Sequence, residues 1–395
     1  MQKLVITSGN AEQSLPRAKN EPRPDKRDMG QVTLVLQGGG ALGAYQAGVY
    51  EAMHEAGIEP NWVIGTSIGA INGSLIAGNK PDMRLQALNS FWHQVELRRT
   101  GHEWANGFPW PAQVRGWADS FSTFATGLPG FFEPNYANLL SGPHTKVPVD
   151  KAGLYSTAPL RKTLHDLVDF SLIQPGGVRL TVGAARIGAA LMCYFDSQAT
   201  PLSVEHVMAS GALPPAFPPV RIGDHYYWDG GILSNTPIEA VFDDCPRRSG
   251  VIFAVHVWNP SGPEPETLLQ VLNRQKDIQY SSRAATHIAR QKQIHKLRHI
   301  ISELGASIPD ERRREPEIAE MLSYGCPTQM HVVRLQAPPL MDENHLKDID
   351  FSEASIRKRW RLGYEHTKHV IEAAPWKAEV GPHEGVIVHE FAQAG

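Results

Sequence analysis

With 395 residues, 42% of them hydrophobic and 20% charged, the chain has apolar material for one large folded domain with an appendage, or for two modest domains. Its formal net charge of −3 excludes the whole-chain positive field that a nucleic-acid binder would carry. Cys193, Cys245 and Cys326 stand far apart and form no CxxC pair, which argues against a disulfide framework or a zinc site and fits a reducing, cytoplasmic setting.

Residues 1–30 are polar, contain proline and lack the apolar core of a signal peptide, so a flexible tail is expected. Gln31–Gln37 (QVTLVLQ) predicts a strand, followed at once by Gly38-Gly39-Gly40. Leu42, Tyr45, Val49 and Met53 then recur at helical spacing, and Gly57 is placed to end that helix. Trp62–Ile64 predicts a second strand, Gly65–Gly69 a turn, and the residues up to Ala77 a helix. This apolar window is shorter than the ~20 residues of a membrane span, and Gly65, Gly69 and Gly73 interrupt it. Strand, glycine loop, helix, strand, turn, helix is the opening of a parallel α/β sheet.

Gly101 to Pro148 breaks the rhythm and carries Trp104, Phe108, Trp110, Trp117, Phe121, Phe124, Phe131 and Phe132. A lid or acyl-chain pocket, and core packing under a long loop, are both open for it. Pro159–Phe170 predicts a helix, Val178–Arg186 and Met192–Phe195 strands, and Val204–Ala209 a short helix. Tyr226–Trp228 predicts a strand leading into Asp229-Gly230-Gly231, and Val251–Trp258 a final core strand. The stretch 259–266 (NPSGPEPE) marks the expected boundary. Beyond it come a long helix over Thr267–Leu304, a strand at His331–Leu335 and a helix from Ser352 to Ala373. From Arg283 to His299 the long helix holds Arg283, Arg290, Lys292, Lys296 and Arg298 and no acid, while Ile294, Leu297, Ile301 and Leu304 keep helical spacing. Such a helix can lie on an anionic membrane or present a solvated face.

Three local features carry chemistry. Gly65-Thr66-Ser67-Ile68-Gly69 is a G-x-S-x-G at a strand-to-helix junction. A sharp turn there pushes the serine hydroxyl out of the backbone, and the following helix favours developing negative charge. Gly38-Gly39-Gly40-Ala41-Leu42-Gly43 lets backbone N–H groups converge on an anion, a phosphate or the oxyanion of a tetrahedral intermediate. A dinucleotide site would want an acid at the end of the second strand; Glu59 precedes that strand and the serine turn occupies its end. Asp229-Gly230-Gly231 on its own reads as a tight turn.

In this order the three features resemble the patatin-like phospholipase family. Ala209-Ser210-Gly211-Ala212-Leu213-Pro214-Pro215-Ala216-Phe217-Pro218-Pro219 resembles that family's segment before D-G-G, and Tyr155-Ser156-Thr157-Ala158-Pro159-Leu160 resembles a feature of its bacterial members. The resemblance runs from Val32 to Trp258; the remainder is similar to the C-terminal extension of some bacterial members. It implies a tail at 1–30, a three-layer α/β/α domain with a mostly parallel central sheet at 31–258, and a mainly helical extension packed on it at 259–395. It further implies a dyad with Ser67 as nucleophile and Asp229 as base, and an oxyanion hole from the N–H groups of Gly38, Gly39, Gly40 and Ala41. Gly43, Gly65, Gly69, Gly230 and Gly231 support these motifs. The implied activity is hydrolysis of fatty-acyl esters through an acyl-enzyme, without metal or cofactor, on a lipid or acyl-ester substrate, with peripheral membrane contact and no nucleic-acid partner; the oligomeric state stays open.

Many family members carry Arg or Lys two residues after the triple glycine, where this chain has Leu42, so any extra cation at the oxyanion site is absent or comes from elsewhere. An aspartate with the ordinary pKa of ~3.9 is a poor base at neutral pH, so Asp229 is expected in a poorly hydrated cleft. His256, the candidate for a hidden triad, is expected to be structural, and the 17 histidines form no HExxH. A short-chain esterase or thioesterase on the same dyad, and a non-catalytic lipid-binding protein, are the alternatives.

Overall fold

In the computed structural model, residues 29–97, 126–141, 144–340, 343, 345–381 and 383–391 are described. The aromatic residues Trp104 to Phe124 and nearly all of the expected tail lie outside them.

The first half alternates as expected: β1 (Gln31–Leu36), α1 (Ala44–Glu55), β2 (Trp62–Thr66), α2 (Ile68–Ala77) and α3 (Arg84–Gln94). A two-residue pairing of β3 (Glu133–Pro134) with β4 (Tyr155–Ser156) brackets α4 (Tyr136–Leu140), and α5 (Ala158–Leu167) follows. Next come β5 (Arg179–Arg186), β6 (Leu191–Asp196), α6 (Val204–Ser210), β7 (Val220–Ile222), β8 (His225–Asp229), α7 (Glu239–Phe242) and β9 (Gly250–His256). The C-terminal part adds α8 (Leu268–Ser307), two short helices α9 (Asp310–Arg313) and α10 (Pro316–Ser323), β10 (Met330–Gln336), α11 (Glu353–Ala373) and β11 (Val386–Glu390).

Among the described residues nine strands form one sheet in the order β11-β10-β9-β1-β2-β5-β8-β7, with β6 paired to β5. From β11 to β5 every pairing is parallel, whereas β6, β7 and β8 enter antiparallel. Strand side chains alternate between faces, and that alternation sets the layers. Leu34, Leu36, Val63, Phe253 and Leu335 pack with α1, α2, α3 and α11 in one apolar cluster. Val35, Ile64, Ile252 and Val332 pack with Ile238 just before α7, Phe242 of α7 and Ile288 of α8 in a second cluster. The result is the α/β/α sandwich.

Val251–Trp258 is not the final core strand: β10 and β11 carry the same sheet across the 259–266 linker. Helix α8 buries Asp277, Ser281, Ala284, Ile288, His295 and His299, and leaves Arg290, Lys292 and Lys296 exposed. Leu297 and Leu304 are 61% exposed in spite of their helical spacing, because the buried stripe is set by the residues over α7 and β11. Among the described residues no helix is long and apolar enough to cross a membrane.

Candidate active site

Strand register brings the serine and the aspartate together. Thr66, the last residue of β2, pairs with Gly183 of β5, and Asp229, the last residue of β8, pairs with the next residue, Ala184. Ser67 and Asp229 therefore leave two strands over adjacent positions of a third. The Asp229 carboxylate accepts the N–H of Gly231 at 2.7 Å, and the Ser67 hydroxyl lies close enough to lower its pKa. Burial raises its pKa from 3.8 to about 6, and the polar contacts of Ser67 and Gly231 pull the other way without cancelling the rise. This is the poorly hydrated aspartate that the sequence called for.

Ser67 has φ 57° and ψ −126°, a backbone position that costs a non-glycine residue roughly 1–3 kcal/mol and persists only when its surroundings enforce it. Ser210 helps to enforce it: its Oγ accepts the Ser67 N–H at 2.9 Å and donates to the Gly183 carbonyl at 2.6 Å. At the elbow, a Cβ on Gly65 would run into the Gly69 carbonyl and a Cβ on Gly69 into that of Leu36, which is why those positions are glycine. Gly43, Gly230 and Gly231 stand at equally close joints, against Ile68, the Gly183 backbone and the Asn235 side chain.

The four N–H groups of the expected oxyanion hole differ in what they meet. The Gly38 N–H is taken by the Asn235 carbonyl at 3.1 Å, and the Ala41 N–H by the Asp348 carbonyl at 2.8 Å. Both are engaged within the protein, whereas the N–H groups of Gly39 and Gly40 meet no acceptor among the described residues. The Gly38 carbonyl is in turn held by Asn235 Nδ2 at 3.1 Å and Trp258 Nε1 at 2.8 Å, which fixes the loop from beneath. Leu42 is buried and adds no charge.

Gly39, Gly40, Ser67 and Asp229 share a cavity of about 140 Å³ with apolar walls. Phe131, Phe132, Tyr155 and Phe217 form one wall, with ring centroids 5.0 Å apart for Phe132–Tyr155 and 5.4 Å for Phe132–Phe217. The C-terminal part adds Tyr280 on α8 and Asp348, Ile349 and Phe351 before α11 to the lining, the Phe351 ring 5.9 Å from that of Phe131. Of the expected aromatic pocket residues, Phe131 and Phe132 are there, and the others lie outside the described residues. Two larger open clefts, of about 630 Å³ beside His165 and about 860 Å³ beside Trp360, contain neither Ser67 nor Asp229.

His256 is buried at the end of β9 and is not among the cavity residues. Burial, assisted by Arg334, pushes its pKa down to about 3, so it is neutral. Among the described residues no group of three or more His, Cys, Asp or Glu can hold a metal ion. Ser210, Asn235, Trp258, Tyr280 and Asp348 were given no role by the sequence. Ser210 lay in the stretch before D-G-G and Trp258 at the end of an expected strand, but the contacts these residues make with or through backbone groups leave no pattern of residue types.

A family profile described as patatin-like phospholipase matches residues 34–242, more than half of the chain, and a second, described as patatin phospholipase, matches residues 278–383. The chain belongs to the patatin-like phospholipase family. It is similar to lysophospholipase nte1 of Aspergillus terreus, with 59% identity over 268 residues, and to that of Aspergillus niger, with 28% identity over 261 residues. Each match covers 62% of this chain but only 14% of the fungal protein, so the chain spans a small part of those relatives. The crystal structure of VipD from Legionella pneumophila matches with TM-score 0.38 and 16% identity over 87% of this chain and 67% of that one.

Proposed function

We propose that the protein is a serine acyl hydrolase that cleaves the fatty-acyl esters of phospholipids or lysophospholipids with Ser67 and Asp229. The observation that carries this reading is the placement of Ser67 in one cavity with a buried aspartate whose pKa is pushed to about 6. A base poised near neutrality is matched to its task. Asp229 takes the Ser67 proton as Oγ attacks the ester carbonyl, and the N–H groups of Gly39 and Gly40 receive the oxyanion. Collapse expels the alcohol, which leaves with the proton from Asp229. Water, deprotonated by the same carboxylate, then releases the fatty acid from Ser67.

The apolar walls favour an acyl chain, and the lysophospholipase name of the fungal relatives points to a single-chain glycerophospholipid. On this reading residues 31–258 hold the reactive groups and 259–395 complete their cavity. Substrate is delivered by peripheral contact with a lipid surface on the cytoplasmic side. Supporting that contact, Leu140 is 87% exposed and Val149 51% exposed, on a segment whose end is bonded to the cavity wall through Leu154 N–H to Pro215 O at 3.1 Å. The exposed cations Arg290, Lys292 and Lys296 on α8 add a face suited to anionic headgroups.

The test is labelling with a fluorophosphonate, read by intact mass and peptide mapping, followed by fatty-acid release from lysophospholipid, phospholipid and short-chain esters. A single adduct on Ser67 that is lost in Ser67→Ala, together with lysophospholipid turnover, is the expected result. A folded protein that labels nowhere, with or without vesicles, would end this reading.

A further inference from the structure

The polar side chains that line the cavity are committed, with one exception. Ser67 and Asp229 are the reactive pair, with Asp229 accepting the Gly231 N–H at 2.7 Å, and Asn235 Nδ2 and Trp258 Nε1 both donate to the Gly38 carbonyl. The Asp348 carboxylate is paired with Lys276 at 2.7 Å, and Tyr155 stands edge-on to Phe132. Tyr280 differs: its hydroxyl has no hydrogen-bond partner among the described residues, although the side chain is in the cavity wall.

The rest of Tyr280 is held firmly. Its ring lies 4.9 Å from that of Trp258, and its carbonyl accepts Gln37 Nε2 at 3.1 Å and Asn235 Nδ2 at 3.3 Å. A phenol fixed at its root, whose O–H meets no partner among the described residues, is a donor prepared for a ligand. Burial, then the charges of Asp229 and Asp348, raise its pKa, so it keeps its proton at neutral pH. Tyr280 thus lines the same cavity as Asp229, where the departing alcohol collects its proton.

We propose that Tyr280 is a substrate-contacting residue whose hydroxyl donates a hydrogen bond to an oxygen of the alcohol part of the ester, so that the site prefers acyl esters of a polar glycerol-type alcohol. The proposal rests on the hydrolase reading above. It also gives the C-terminal part a role in specificity, since Tyr280 lies outside the 34–242 match.

The experiment compares Tyr280→Phe with the parent protein on a lysophospholipid and on p-nitrophenyl butyrate, whose leaving group has no glycerol oxygen. Lysophospholipid kcat/KM should fall about tenfold, the size expected for one lost hydrogen bond to substrate, while the p-nitrophenyl ester changes less than about threefold. The rate of fluorophosphonate labelling of Ser67 and the Tm should stay as they are. Equal losses on both substrates, or no loss on lysophospholipid, would overturn the proposal while Ser67 labelling leaves the hydrolase reading standing. A parent protein that neither labels nor turns over overturns both. A second measurement does not depend on turnover: in a Ser67→Ala background, Tyr280→Phe should weaken binding of a non-hydrolysable lysophospholipid ether about tenfold and leave fatty-acid binding unchanged. Equal Kd values for the ether would sink the idea.

Discussion

The carbonyl oxygen of Asp348 accepts the N–H of Ala41 at 2.8 Å. The same carbonyl occupies the space a Cβ on Gly40 would need, and Gly40 sits at φ 55°. The loop that presents the unbonded N–H groups is thus shaped from above by residues just before α11, and from below by Asn235 and Trp258. That upper loop is tied down by charge: Lys276–Asp348 at 2.7 Å, Lys347–Asp277 at 2.8 Å, Lys347–Glu343 at 3.4 Å and Arg359–Glu343 at 2.9 Å.

Lys347 and Asp277 are 5% and 8% exposed, so removing one partner strands the other in a poorly hydrated place. Lys347→Met should cost about 3–5 kcal/mol in denaturant unfolding, and adding Asp277→Leu should recover part of it. A single-variant cost below about 1 kcal/mol would show that the pair does not hold the loop.

Asp229→Asn should lower kcat about 10²–10⁴-fold, as expected for the loss of a general base. In the parent protein, kcat/KM should rise with pH through about 6 and level off above it, as Asp229 loses its proton. The stability effect has the opposite sense. Between pH 3.8 and about 6 the unfolded carboxyl ionises before the folded one, so folding becomes less favourable across that window and the penalty is complete above it. A rise from 3.8 to about 6 corresponds to about 3 kcal/mol. Asp229→Asn should therefore melt higher than the parent protein at pH 8, with the gap closing towards pH 4. A lower Tm at pH 8 would contradict the burial argument.

Ser210→Ala takes the acceptor from the Ser67 N–H, a loss on the order of 1–3 kcal/mol for a buried donor left unpaired. Because that donor belongs to the strained serine, the loss should appear as Ser67 labelling slowed about tenfold or more, in a protein that still folds. Unchanged labelling would mean that Gly65 and Gly69 hold the elbow unaided.

His256→Ala should leave kcat/KM within about threefold and lower stability by about 0.5–3 kcal/mol, the usual range for a buried substitution. If a folded His256→Ala protein were as inactive as Ser67→Ala, a triad would replace the dyad.

Sequence reasoning reached the parts of this molecule whose demands are local. The glycines at 65 and 69 flank Ser67 because the elbow backbone leaves no room, and such sites print themselves as short motifs. β1, β2 and β9 are buried on both faces and read as continuous apolar runs. β11 was missed: it is five residues long, and His389 and Glu390 interrupt its apolar character. The meeting of Thr66 and Asp229 over Gly183 and Ala184 depends on strand register, which no local pattern encodes. Nor does a run of glycines say which of its N–H groups other carbonyls already hold. Gly38 and Ala41 looked equivalent to Gly39 and Gly40 until Asn235 and Asp348 were in place.

The continuation of the sheet past the linker has a consequence for how the molecule is born. β1 lies between β2 and β9, and β9 is covered in turn by β10, so each new parallel strand docks on one made earlier. A nascent chain that has just passed Asp229 holds the serine elbow and the aspartate, but it has neither Trp258 beneath the glycine loop nor Asp348 above it. Domains fold as they emerge, N-terminal part first. Ser67 is thus carried for much of translation in an unfinished cavity, and the chain acquires a closed site only after Phe351 has left the ribosome.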